Sequence, residues 1–159
     1  AAKPEYDTRT ASLQLESILV KAQNMAVNQQ KHTRVVVNCA RVAGNKNCFA
    51  DIESAVYDEY SVAGWEKRLE DREVLKPEIR VVKARPSATH SAKEEDMSET
   101  DVFWAIFMPS RHVFSEPQGF RLFIYHNSQP EPRKDGWRLT VNSLSGQVQL
   151  SRDSLTPKV

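Results

Sequence analysis

The chain has 159 residues, 22 Lys plus Arg against 21 Asp plus Glu, and a formal net charge of +1. That length suits one domain, here expected to span residues 1–159, with a core large enough to need no obligatory staple. Charge this balanced gives no reason to expect nucleic acid or an anionic membrane surface as partner, and no apolar run approaches the roughly 20 residues that cross a bilayer.

Residues 1–6, AAKPEY, are polar, and no signal-peptide core is present. From Thr8 to Lys31 the chain has no Pro and no Gly. Ala11, Leu15, Ile18, Leu19, Ala22, Met25, Ala26 and Gln29 recur at steps of three and four, which places a mostly apolar stripe on one helix face. Gln14, Ser17, Lys21, Asn24 and Asn28 make the opposite face. A helix is expected over about 7–32, with Asp7 or Thr8 capping its start. Leu15, Ile18, Leu19, Ala22 and Ala26 are the residues expected to dock it on a sheet built by the rest of the chain.

Arg34–Asn38 is a β-branched run and reads as a strand. Cys39 and Cys48 bracket turn-forming Gly44-Asn45 and Asn47, so a hairpin would set the two thiols face to face. Two readings stay open: a disulfide worth about 2–3 kcal/mol in an oxidising compartment, or two reduced thiols. Phe49–Val62 mixes Ile52, Val56 and Tyr60 with Asp51, Glu53, Asp58 and Glu59, which suggests a half-exposed strand, bent or bulged. Glu66–Val74 is charged and fits a helical turn or an extended edge. Lys76-Pro77-Glu78 is a turn and Ile79–Val82 a further strand.

Residues 85–100 have little to bury and are expected to form a long mobile loop. Val102–Met108, with Trp104 as a core anchor, should be a central strand buried on both faces. Phe120–Tyr125 is another strand, and residues 126–136 form a polar loop. Trp137, Leu139 and Val141 alternate with polar residues, and the alternation resumes at Val148 and Leu150 after the Leu144-Ser145-Gly146 turn. The tail, 151–159, reads as polar and frayed, and Trp65 and Trp137 as rim residues. The head, about 34–151, therefore holds six or seven strands. The class is α+β, an N-terminal amphipathic helix packed on antiparallel sheet.

Chemistry is sparse. His32, His90, His112 and His126 are scattered, without metal-ligand spacing, and no nucleophile, phosphate-loop or dinucleotide motif occurs. The acidic run Glu94, Glu95, Asp96, Glu99 and Asp101 lacks the alternating ligands and the turn glycine of a calcium loop. No catalytic residue, cofactor or metal is expected.

The order of the pieces resembles GspH/FimT-like minor pseudopilins and minor type IV pilins. The segment ASLQLESILVKAQNMAVNQQKHTRVVVNC is similar to the family's amphipathic helix leading into a Val-rich strand. Gly64-Trp65 with Val74–Val81, then Ile106–Arg111, then Arg138–Val148 resemble its Trp and Leu-Pro passage, its strand end and its closing hairpin. Glu78 and Arg111 stand where the family tends to have Gly, and the 85–100 loop is long for it. The resemblance implies two sheets and a structural subunit of a type II secretion pseudopilus, with no enzyme activity. It also implies a processed, methylated membrane helix ahead of residue 1, an inner-membrane location with a periplasmic head, and an oxidised Cys39–Cys48 pair. Partners would be other pilin-like subunits and possible secreted substrates, met through loops 85–100 and 126–136. A minor type IV pilin is the near alternative. A periplasmic domain holding a ligand between helix and sheet is the distant one.

Overall fold

The computed structural model describes residues 3–39, 47–56, 64–85, 92–94, 102–116, 119–130 and 133–156. Helix α1 spans Lys3–Gln29 and starts ahead of the expected position. Pro4 lies in its first turn, where a missing N–H breaks no helical bond. Asp7 and Thr8 are consequently inside the helix and do not cap it. Thr8 Oγ1 donates to Pro4 O at 2.7 Å and Ser12 Oγ to Thr8 O at 2.8 Å, so both hydroxyls are satisfied where they are buried. At the other end Gln30 takes φ 54°, the left-handed position more often given to Gly or Asn, and Lys31 N–H reaches Ala26 O at 3.3 Å. With no glycine to mark this stop, the helix reads slightly too long in sequence.

Ten strands follow among the described residues: β1 Thr33–Asn38, β2 Phe49–Ala55, β3 Trp65–Val74, β4 Ile79–Arg85, β5 Ala92–Glu94, β6 Val102–Phe107, β7 Val113–Glu116, β8 Arg121–His126, β9 Lys134–Val141 and β10 Val148–Thr156. They make two five-stranded sheets. The first has order β3-β2-β1-β6-β7 and is antiparallel throughout. The second, β10-β5-β4-β8-β9, closes on itself through the β9–β10 hairpin into a small barrel. Its pairs are antiparallel except β10 with β5.

The helix lies between the sheets. Leu15, Ile18, Leu19, Ala22 and Ala26 are 0–3% exposed. They share one core with Val35, Val37, Ile52, Phe103 and Phe107 of the first sheet and Ile79, Leu122, Ile124, Leu139 and Val141 of the barrel wall. Thr33 Oγ1 donates to Ala22 O at 2.6 Å, which ties the first residue of β1 to the helix. A second, smaller core of Val82, Ala84, Ala92, Phe123 and Leu155 fills the barrel. Gly136 permits that tight closure. A Cβ there would sit 2.1 Å from Ile124 O and 3.0 Å from the Phe123 ring. Cys39 and Cys48 are joined in a disulfide at the end of the β1–β2 pair.

Several sequence expectations are corrected. Residues 92–94 are a strand between β4 and β10, not loop. The tail continues as β10 to Thr156, with Ser154 and Leu155 buried, because β5 gives it a second neighbour. Val113–Glu116, given no element above, is a strand that pairs with β6. Residues 134–136, assigned to the polar loop, open β9. Trp104 is half-buried on the face of β6 away from the helix, so it does not anchor the main core. Strand β2 does carry the expected irregularity, a register shift between Ala50 and Ile52. It is buried rather than half-exposed, since its acids are neutralised. Arg72 grips Asp51 through Nε and Nη2 at 2.7 and 2.9 Å and lies 4.4 Å over the Phe49 ring. Arg34 pairs with Glu53 through Nε at 2.7 Å and lies 4.7 Å over Trp65. Each guanidinium thus has a carboxylate at its edge and an aromatic ring on its face. The rest of the 85–100 stretch, residues 57–62 and the acidic run beyond Glu94 lie outside the described residues.

Candidate functional site

The helix presents four kinds of side chain around its circumference, and only one of them faces solvent with apolar atoms. The buried stripe is the first. The second is a polar edge at seven-residue steps, Asp7, Gln14 and Lys21, which runs along β3 and the turn after it. Lys76 Nζ donates to Asp7 Oδ1 at 2.9 Å, Gln14 Nε2 to Glu73 Oε2 at 3.1 Å, and Lys21 Nζ to Asp71 Oδ1. The Asp71 carboxyl is held below its ordinary range chiefly by the Lys21 hydrogen bond and also by Arg68, against the opposing effect of burial. The ammonium of Lys76 is raised by its bond to Asp7.

The third edge faces the barrel hairpin. Arg152 Nη1 donates to Glu5 Oε1 at 2.6 Å while its guanidinium lies 5.9 Å from the Trp137 ring, and Gln23 Nε2 donates to Ser145 O at 3.3 Å. These ties flank the buried stripe, whose packing against both sheets sets the rotation of the helix about its axis.

The fourth face is the outer one. Tyr6, Leu13 and Val20 are 68%, 45% and 40% exposed. They too are seven residues apart, two helical turns, so they form one nearly straight row. Thr10, Ser17 and Asn24, all exposed, fill the spaces between them. An apolar row at heptad spacing with short side chains alongside is the pattern that receives another helix at a shallow crossing angle. Sequence reading by steps of three and four found the buried stripe and assigned the opposite face as polar. The signal for the row was present as the repeat at 6, 13 and 20.

Among the described residues other candidate chemistry is not brought together, and His90 lies outside them. His112 is exposed beside Ser110 Oγ at 3.3 Å, His126 is buried with its Nδ1 2.8 Å from Ser128 Oγ, and His32 follows the helix. Among the described residues no group of three or more His, Cys, Asp or Glu side chains is placed to hold a metal ion. No described helix is long and apolar enough to cross a membrane. The space between helix and sheets is occupied by Leu15, Leu19, Phe103 and Phe107, each 0–1% exposed, where the distant alternative required a ligand. Of the two loops named for partner contact, 126–130 and 133–136 are described, and 85–100 only at Arg85 and 92–94.

No family model matches the chain, and no curated protein matches it. Its fold does match solved structures of the minor pseudopilin EpsH from the type 2 secretion system of Vibrio cholerae. One aligns with a TM-score of 0.57 over 92% of this chain and 97% of that one, at 14% identity. Another gives 0.56 over 98% and 97%, at 16% identity. The chain therefore has the GspH-like minor pseudopilin fold, one N-terminal helix packed on two β-sheets.

Proposed function

We propose that the chain is the head of a minor pseudopilin, a structural subunit of a type II secretion pseudopilus that acts by packing against other pilin-like subunits. The observation that carries this reading is the exposed row Tyr6, Leu13 and Val20 on a helix clamped along both flanks. Apolar area kept in water in a regular helical register is free energy held for association. The likeness of the fold to EpsH supports the same reading, as does the Cys39–Cys48 disulfide, which suits a periplasmic head. A membrane-embedded helix half joined ahead of α1, inner-membrane attachment and a non-enzymatic role belong to this proposal.

The test uses the full-length gene in its own host, with L13R and V20R combined. Both positions are exposed, so the head should keep its melting temperature within about 2 °C. The subunit should then fail to co-purify with other pilin-like subunits, and export through the secretion system should fall. Unchanged export and unchanged association would refute the proposal.

A further inference from the structure

The edge of the first sheet meets the barrel at a groove that the helix row does not touch. It has a volume of about 490 Å³ and is lined by Val113, Phe114 and Ser115 of β7, by Gly119 and Arg121 leading into β8, and by Ser143. Two large apolar side chains stand at it or beside it. Phe114 is 59% exposed, and Leu144, next to Ser143 in the hairpin turn, is 74% exposed.

The polar groups of the walls are largely spent. Val113 N–H donates to Ser143 O at 2.8 Å, and Phe120 N–H to Ser115 Oγ at 3.1 Å. Arg121 is the exception. It is half-buried, and among the described residues it makes no ion pair. Its guanidinium folds back over Gly119, which holds φ 73°. A Cβ on that residue would lie 2.9 Å from Arg121 Nη2. The bare glycine thus provides the berth in which the guanidinium rests, and both the left-handed backbone and the missing side chain are needed for it.

We propose that this groove docks an extended segment of a partner protein in which a carboxylate side chain is flanked by bulky apolar ones. The carboxylate takes the fork of donors on Arg121, and the apolar neighbours cover Phe114 and Leu144. A planar guanidinium matches a carboxylate in two parallel hydrogen bonds, and the adjacent apolar surface excludes water from them. Charge and apolar contact together favour a peptide over a free anion. The groove shares no residue with the helix row, so the inference stands whether or not that row mediates assembly.

The experiment is amide-resolved NMR titration of the isotope-labelled head with three probes: a capped Gly-Leu-Glu-Leu-Gly peptide, its Gln counterpart, and glutarate. The Glu peptide should move the amides of residues 113–115, 121 and 143. Its Kd should weaken about tenfold in R121Q and about fivefold in F114S, and the Gln peptide should bind as weakly as R121Q does. A G119A variant, by displacing the guanidinium, should fall between the parent and R121Q. Binding unchanged in R121Q, equal binding of the Gln peptide, or shifts confined to other surfaces overturns the proposal. Glutarate binding as tightly as the Glu peptide overturns it too, since the site would then be a simple anion site.

Discussion

Arg111 is held at φ 75°, a backbone conformation in which a Cβ crowds the neighbouring carbonyl. The turn demands it: Arg111 N–H donates to Met108 O at 2.9 Å, and Met108 N–H to His112 O at 3.0 Å, closing the link between β6 and β7. Glycine is the residue the pilin-like pattern tends to place there, and the left-handed backbone gives the physical reason. R111G should therefore raise stability by about 1 kcal/mol, read as a higher urea midpoint at unchanged slope. A lower midpoint would contradict the assignment of strain. Glu78, the other departure, has no such need. It occupies a turn closed by Ile79 N–H to Lys76 O at 3.0 Å, outside the left-handed region, so a side chain is tolerated. At Asp71 the prediction concerns acid. Its carboxyl titrates below the ordinary 3.8 in the folded chain, first because of the Lys21 hydrogen bond. Stability from this pair is present above 3.8 and is lost as pH falls through the lower, folded value. K21M should flatten the acid limb of stability against pH, measured by urea midpoints from neutral pH downward. Parallel curves for parent and variant would show that Lys21 does not set the Asp71 titration.

At the scale of elements, the barrel closes tightly at Gly136, where no Cβ fits. G136A should destabilise by at least about 2 kcal/mol, since the added methyl meets the backbone carbonyl of Ile124 and only the strands can move. Thermal unfolding checks this, and a loss below about 0.5 kcal/mol would mean that the barrel wall yields easily. The same element shows what was legible in sequence. The β9–β10 hairpin was, because Trp137, Leu139 and Val141 alternate cleanly with polar partners around a turn whose Asn142 Oδ1 accepts from Leu144 and Ser145 N–H. Helix α1 was legible from its three-and-four spacing. Strand β5 was not, because a three-residue strand is set by its neighbours β4 and β10 and not by its own side chains. Nor was the burial of β2. Asp51 and Glu53 read as signs of exposure until Arg72 and Arg34 are brought alongside by pairing that no local pattern states. Of the candidate site, the docking face of the helix was legible and the outer row was passed over, for it differs from a solvated face only in three residues seven apart.

For the whole molecule the arrangement is a rib set between two sheets. Polar ties run from the helix to β3 on one flank and to the barrel hairpin on the other, and one disulfide closes the β1–β2 end. A helix so held cannot roll its apolar row inward, and the row stays available to a neighbour. Site-specific cross-linking tests this most directly. Single cysteines would replace Leu13, Ser17 or Gln149 in the full-length protein in its host, followed by labelling with a maleimide–benzophenone reagent and ultraviolet light, which needs no thiol on the neighbouring subunit. The account predicts that L13C and S17C on the outer face join to another pilin-like subunit, whereas Q149C, exposed on the barrel hairpin, does not. Cross-links from Q149C with none from the helix positions would contradict it.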